Sequence, residues 1–478
     1  MSASQQPHEK LAAAAIPEAV LHICRRLQEA GFPCVLVGGA VRDLLRGRRP
    51  QDWDLASAAR PEQVQALFER VIPTGIAYGT VTVLDYGIPC QVTSFRREGR
   101  YEDGRHPAWV ETGATLEEDL SRRDFTINAM AYDPVGRRLI DPFGGRADLA
   151  AGVVRTVGSP DERFQEDALR ILRALRIVSE EGFTLHPDTE PAITRQAPGL
   201  RRISGEREGA EMLRLLMGRH VKAALDLVLR TGLLPILWPA FAPAATMLQP
   251  GGRLTVYEHT ARAVHFAPRR VPVRLAALGH DWGKVLTRTP DGRFPDHHRV
   301  SVAMFRPVLR RWRVPQAVQE HVLALIRHHM FGPVEDRTLR RWIGRYGRRW
   351  VLDLIDLREA DARASEQGPL RPSIADLRRR ARRILREEPV LTPDSLALNG
   401  HDIMALLGLE PGPEVGRWKE ELYRYVLEDP ARNTREALTA FLLERAAAEG
   451  RERNNPRERD GDGERAEGDG RSSNDEAH

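Results

Sequence analysis

The chain has 478 residues, 41% of them hydrophobic and 29% charged, which excludes both a single-core domain and a wholly disordered polypeptide. Its 72 Lys and Arg nearly balance 67 Asp and Glu, for a net charge of +5, and arginine is by far the commoner cation. Arginine keeps its charge and presents a planar donor fork suited to phosphate and base edges, so the excess leans toward a nucleic-acid partner; a GC-rich coding sequence produces the same excess with no partner at all.

In chain order, residues 1–20 read as a flexible lead-in. Helical periodicity over 20–30 stops at Gly31, with Pro33 beyond it. Cys34–Val37 is a short apolar strand that runs into Gly38-Gly39, and 40–45 opens a helix, so the two glycines occupy a strand-to-helix turn. Further strands are expected at 52–56, 80–85 and 89–95, with a helix over 61–70. This is an α/β domain over 21–150. Beyond about residue 161 the period becomes helical throughout, and Pro and Gly turns divide it into a neck (151–230), a body (231–390) and a tail domain (391–449). Residues 450–478 are almost devoid of apolar side chains and are expected to stay disordered, since they cannot bury enough surface to offset the entropy of ordering.

Three clusters in the first half point to nucleotide chemistry. Asp52 and Asp54 alternate within a strand pattern, which projects both carboxylates to one face about 6–7 Å apart along the backbone. Two such groups can hold Mg²⁺ against a triphosphate. Ten residues upstream, Gly39 and Arg42 follow a turn whose backbone N–H groups face a helix start, a favourable setting for an anion. Downstream, Arg122 and Arg123 are followed by Asp124 and Asn128; the cations suit phosphate, and Asp124 or Asn128 suits a ribose hydroxyl. A helical wheel of 167–178 puts Ala168, Ile171, Leu172, Leu175 and Val178 on one face. Arg170, Arg173 and Arg176 lie on the other, beside Asp167.

Together, Gly-Gly-Ala-Val-Arg-Asp-Leu-Leu at 38–45, the Asp-x-Asp-Leu at 52–55, Arg-Arg-Asp-Phe-Thr-Ile-Asn-Ala at 122–129 and Glu-Asp-Ala-Leu-Arg at 166–170 resemble the bacterial class II tRNA nucleotidyltransferases (CCA-adding enzymes) and their poly(A) polymerase relatives. The resemblance continues into Leu398-Asn399-Gly400-His401-Asp402-Ile403. It implies an α+β fold, with a polymerase-beta-like nucleotidyltransferase head followed by all-α neck, body and tail. It also implies that Asp52 and Asp54 bind Mg²⁺, that Gly39, Arg42 and Arg123 contact CTP or ATP, and that Asp167 and Arg170, assisted by Arg173 and Arg176, read the base. The implied partner is tRNA, and the implied reaction is addition of C-C-A to its 3′ end. Poly(A) polymerase and A-only addition remain alternatives; the segment 95–120, which looks like a full-length flexible loop, disfavours a CC-only enzyme. Relatives often carry Glu where this chain has Gln91, so a third carboxylate in the head is in doubt.

A second cluster lies in the helical half. His259, the pair His280-Asp281 and Asp361 follow the order of an HD domain, with His297 or His298 and His328 or His329 as further ligands. Imidazoles and a carboxylate suit a divalent transition metal of the kind that serves phosphoester hydrolysis. A competing reading follows, in which an HD phosphohydrolase carries the activity and the head is a vestigial RNA-binding module.

Cys24, Cys34 and Cys90 are widely spaced single thiols, which fits neither a disulfide framework nor a thiolate zinc site. No apolar run reaches the ~18 residues of a spanning helix. The sequence thus reads as a cytoplasmic protein without membrane association.

Overall fold

In the computed structural model, residues 16–99, 109–250, 252–331, 334–365, 372–388 and 391–453 are described. The expectations for residues 1–15, for the loop at 101–107 and for the segment beyond 453 lie outside the described residues; helix already begins at Glu18, inside the lead-in expected over 1–20, and runs to Arg453, inside the segment expected to be disordered from 450.

Every residue of Cys34–Val37 (β1) is buried, because the strand is covered on both faces. Cys34 and Leu36 pack with Val20, Ile23 and Leu27 of the helix Glu18–Glu29 (α1). Val35 and Val37 turn instead to Ala56, Phe95, Leu120 and Ala131, as the two-residue period of a pleated strand requires. Gly39–Leu45 (α2) follows β1, and Asp54–Ser57 (β2) returns antiparallel beside it, pairing Leu36 with Leu55. Pro61–Leu67 (α3), Val71–Gly75 (β3), Thr80–Asp85 (β4) and Ile88–Ser94 (β5) come next. Arg96–Glu98 (β6) and Val110–Thr112 (β7) form a separate antiparallel pair. After Leu116–Ser121 (α4), the strands Ala131–Asp133 (β8) and Arg138–Ile140 (β9) complete a seven-stranded sheet of order β3-β4-β5-β2-β1-β8-β9. All its pairings are antiparallel except β2 with β5.

The strands anticipated near 34–37, 52–56, 80–85 and 89–95 are all present, with β2 beginning at Asp54. The helix expected over 61–70 stops at Leu67, because Phe68 is extended (φ −127°, ψ 137°) and leads the chain into β3. That strand has Pro73 at its centre, which breaks a strand pattern in the sequence but is tolerated at the edge of a sheet, where one face of the ladder needs no partner.

Past Gly145–Ala151 (α5), helices dominate: Pro160–Glu166 (α6), Leu169–Glu181 (α7), Thr189–Gln196 (α8), Gly205–Leu216 (α9) and Val221–Arg230 (α10). Two differences from the sequence reading stand out. Val153–Val154 (β10) and Thr184–Leu185 (β11) form a short parallel ladder inside the supposedly all-helical stretch. The helical run expected over 166–176 is also broken, because Asp167 is extended (φ −143°, ψ 103°) and separates α6 from α7. Its carboxylate Oδ1 accepts from the Leu169 amide at 3.0 Å, replacing a bond the helix start leaves unmade.

The body contains Val256–Phe266 (α11), Val271–Gly279 (α12), His297–Arg311 (α13) and Gln316–His328 (α14). Phe241 stacks on Trp282 at 4.8 Å and Phe305 meets the same ring edge-on at 5.1 Å, so the buried Trp282 anchors the segment just after His280-Asp281. The described residues fall into two compact units, one within Met1–Phe331 and Asp353–Ile374, the other within Gly332–Leu352 and Ala375–His478. Asp336–Tyr346 (α15), Arg348–Ala364 (α16), Pro372–Glu387 (α17), Gly400–Leu407 (α18), Pro413–Glu428 (α19) and Arg435–Arg453 (α20) complete the chain. In the second unit, Leu398, Ile403, Trp418, Leu422, Val426, Leu438 and Leu442 form the core, and Asn399 caps α18 through bonds from His401 and Asp402 amides. The fold class is α+β, a sheet-based head followed by helices, as the sequence led us to expect. Among the described residues no helix is long and apolar enough to cross a membrane.

Candidate functional site

The turn after β1 is built for close approach. Gly38 has φ 72° and ψ −136°, a conformation that side chains other than hydrogen rarely adopt. A Cβ there would sit 3.1 Å from Nη1 of Arg123, so the Arg123 guanidinium lies against the turn. Ala40, Val41 and Leu44 bury the inner face of α2 and hold the helix to the sheet. Beside the turn, Trp53 is buried while Asp52 on one side is exposed and Asp54 on the other half-buried, the alternation that brings two acids to one side of the chain. Burial raises the Asp54 carboxyl above its ordinary range; the Arg123 charge opposes the rise and the Asp52 charge adds to it. Asp52 and Arg123 therefore both act on Asp54, and Arg123 lies against the glycine turn. In the parallel β2–β5 ladder, Gln91 is the partner of Asp54, so the neighbouring strand offers an amide where a third carboxylate would stand.

A polar chain leads from this turn to the neck. Arg42 Nη1 donates to Asn128 Oδ1 at 2.8 Å, and Asn128 Nδ2 donates to Asp124 Oδ1 at 3.1 Å. Asp124 Oδ2 accepts from Arg173 Nη1 at 3.2 Å, and Arg173 Nε donates to Glu211 Oε1 at 3.4 Å. Arg176 completes the series, its Nε 3.1 Å from Glu211 Oε2. Burial alone would raise the Asp124 carboxyl, but Arg173, the Asn128 amide and Arg170 outweigh it and hold the group below the ordinary carboxylate range. Arg123 is tied in separately, through Asp119 Oδ2 at 3.3 Å.

The structure thus gathers Gly39, Arg42, Arg123, Asp124, Asn128, Arg173 and Arg176 into one connected region with Asp52 and Asp54. Asp167 and Arg170 stand at the junction of α6 and α7, where the Arg170 amide donates to the Asp167 carbonyl at 3.0 Å. Arg170 is buried; its Nη1 reaches Glu166 Oε2 at 2.5 Å and its Nη2 the Arg122 carbonyl at 3.1 Å. Asp167 Oδ2 accepts from Arg207 Nη2 at 2.8 Å. Arg207, Glu211 and Asp119 were not singled out from the sequence. Arg207 and Glu211 are four apart on α9, the i, i+4 spacing that places two side chains on one helix face, but only the packing of α9 on α7 reveals what that face meets.

In the body, His259 Nε2 lies 3.0 Å from Asp361 Oδ1 and 3.3 Å from His280 Nε2. Asp281 Oδ2 is 3.3 Å from His280 Nε2, and Asp281 Oδ1 is 3.3 Å from His297 Nε2 and 3.9 Å from His329 Nε2. Two groups of metal-ligating side chains result, His259-His280-Asp361 and Asp281-His297-His329. The imidazoles of His280, His297 and His329 are each oriented by the carbonyl three residues back, Ala277, Phe294 and Ile326, at 2.8, 2.9 and 2.8 Å. A carbonyl only accepts, so Nδ1 carries the proton and Nε2 is turned inward as a lone pair in the neutral ring, the outer-sphere arrangement typical of ligating histidines. His297 Nε2 is buried without a hydrogen-bond partner among the described residues. Desolvation drives His329 down to about 3, which keeps that ring neutral. Of the paired alternatives in the sequence, His297 and His329 are buried, while His298 and His328 are only half-buried.

The sequence model of the Poly A polymerase head domain matches residues 34–155, that of the RNA and SrmB-binding site of polymerase A residues 182–245, and that of tRNA nucleotidyltransferase domain 2 residues 297–442. The CCA-adding enzyme of Geobacillus stearothermophilus is 37% identical over 425 residues, which span 89% of this chain and 96% of that protein. This chain belongs to the CCA-adding enzyme family. Another member, from Lactiplantibacillus plantarum, is 33% identical over 89% of this chain and 95% of its own. The crystal structure of the Bacillus stearothermophilus CCA-adding enzyme in complex with CTP superposes with a TM-score of 0.71 at 34% identity, covering 91% of this chain and 98% of that one. The Thermotoga maritima CCA-adding enzyme, solved with tRNA, shares the fold at 18% identity and a TM-score of 0.58, over 92% and 98% of the two chains. CCA-adding enzymes are nucleotidyltransferases that use divalent metal ions, and the present chain is one of them.

Proposed function

We propose that this CCA-adding enzyme transfers CMP and then AMP from CTP and ATP to the 3′-hydroxyl of tRNA in the cytoplasm, releasing pyrophosphate at each step and completing C-C-A. The observation that carries the reading is the meeting of Asp52, Asp54 and Arg123 at the Gly38-Gly39 turn. Two neighbouring carboxylates, one of which raises the proton affinity of the other, form with the nearby guanidinium a set suited to a hard dication and a triphosphate. Held by Asp52 and Asp54, two Mg²⁺ ions would align the attacking hydroxyl and neutralise charge on the leaving pyrophosphate. Arg123 and the amides of the glycine turn, Gly39 included, would bear the triphosphate. Arg42 orients Asn128, and Asn128 with Asp124 would meet the ribose hydroxyl that marks a ribonucleotide. At the base, a carboxylate of Asp167 accepts and a guanidinium of Arg170 donates, the complement of an amino group beside a ring nitrogen on both cytosine and adenine.

The test uses transcripts ending before C-C-A, after C and after C-C, incubated with Mg²⁺ and CTP or ATP and then sequenced. Addition that stops at a single terminal A is expected; long A tails would make the chain a poly(A) polymerase. Asp52→Asn and Asp54→Asn should each abolish incorporation while leaving the melting temperature and tRNA retention close to wild type. A double variant that still turns over would remove the metal assignment.

A second activity is favoured by the buried cluster in the body. His259, His280, Asp281, His297, His329 and Asp361 fit a divalent transition metal, because their inward-facing donors are imidazole nitrogens and carboxylate oxygens. Such an ion would supply a Lewis acid for phosphoester hydrolysis; Lys284, 2.7 Å from Asp281 Oδ2, balances the buried carboxylate beside it. Release of phosphate from p-nitrophenyl phosphate by wild type but not His280→Ala, in added Mn²⁺, Co²⁺ or Ni²⁺, is the expected outcome; equal release by both would assign the cluster a purely structural role.

A further inference from the structure

Both oxygens of Asp167 are engaged before any base arrives. Oδ1 accepts from the Leu169 amide at 3.0 Å, which ties the carboxylate to the start of α7. Oδ2 accepts from Nη2 of Arg207 at 2.8 Å, a residue on α9 outside the short motifs quoted from the sequence. The pair is largely shielded, with side-chain exposures of 22% for Arg207 and 13% for Asp167. One turn further along α9, Glu211 holds Arg173 and Arg176 at 3.4 and 3.1 Å. Helix α9 therefore backs Asp167, Arg173 and Arg176.

We infer that Arg207 is a positioning residue that sets nucleotide selectivity, by locking Asp167 into one orientation as a pure hydrogen-bond acceptor. The inference rests on the proposal that Asp167 contacts the base. An ionised carboxylate has about four lone-pair sites, of which Leu169 and Arg207 take two, so acceptor capacity remains for a ligand. Cytosine N4 and adenine N6 are amino donors, whereas uracil O4 and guanine O6 are acceptors that meet such a carboxylate with repulsion. Released from Arg207, Asp167 is free to turn away, and the repulsion it exerts on a keto oxygen goes with it. Selection of C and A over U and G thus depends on a guanidinium that itself touches no base.

The test is the ratio of kcat/KM for CTP to that for UTP on a transcript ending before C-C-A, with full-length protein. Arg207→Ala and Arg207→Gln should each lower the ratio about tenfold or more, mainly through a higher KM for CTP and faster misincorporation of UTP. Arg207→Lys, which keeps a charged donor, should recover part of it. Asp167→Asn, measured in parallel, should lower the ratio as well. If Asp167→Asn lowers it and the Arg207 variants do not, or if they slow CTP and UTP equally as a packing defect would, Arg207 has no positioning role. An unchanged ratio in Asp167→Asn overturns the base-contact assignment and this inference together.

Discussion

Asp124 is a buried carboxylate whose neighbours outweigh its burial, and that balance is open to measurement. Arg173, Asn128 and Arg170 hold its pKa below the 3.8 of an unperturbed Asp. A depressed acid contributes stability that is fully present above the unfolded pKa and is lost as pH falls through the folded one. Asp124→Asn should therefore melt well below wild type at pH 7, with the gap narrowing once pH drops under about 4. A gap of constant size from pH 7 to 3 would mean that the ion pair with Arg173 contributes nothing. The sequence singled out Asp124 and Asn128 as polar groups suited to ribose. It did not disclose that they bond to each other or that Arg42 reaches Asn128, since residues 42 and 128 become neighbours only through the sheet.

At the scale of elements, the strand-to-helix turn at Gly38 combines two demands. Its positive φ disfavours any side chain, and a Cβ would press on Arg123 at 3.1 Å; Gly47, with φ 68°, has open space around it. Gly38→Ala and Gly47→Ala should each cost on the order of 1–3 kcal/mol in stability from backbone strain. Only Gly38→Ala should raise the KM for CTP, by displacing Arg123; an equal rise in both variants would detach Arg123 from the nucleotide. Two adjacent glycines between an apolar strand and a helical run made this turn legible. The break at Asp167 was not, because Glu-Asp-Ala-Leu-Arg is ordinary helical sequence. The side chain's bond to Leu169 and its ion pair with Arg207, a partner 40 residues away, stabilise the extended residue there. β3 escaped notice for the opposite reason, since Pro73 argues against a strand unless the strand is known to lie at an edge.

At the scale of the molecule, the glycine turn with its two aspartates and the histidine cluster both belong to the same compact unit, yet their chemistries are separable. Metal-depleted wild-type protein should gain thermal stability on titration with Mn²⁺, Co²⁺ or Ni²⁺, by roughly 2.7 kcal/mol at a hundredfold excess over Kd. His280→Ala and His329→Ala should show little of that gain while still adding C-C-A. A full shift in both variants would locate the bound ion elsewhere.

The sequence by itself determined the class of the fold, the glycine turn, the Asp-x-Asp and the family likeness, because each is local: a period, a turn residue, a run of a few amino acids whose chemistry is fixed by spacing along the chain. Tertiary structure decided everything that depends on distance through space. It turned His297 and His329 inward rather than their neighbours, joined Arg42 to the neck through Asn128 and Asp124, and set Arg207 and Glu211 behind α6 and α7. Those partners are separated by tens of residues, and what brings them together is the burial of apolar faces, which is indifferent to the polar groups it carries along until packing has made them neighbours.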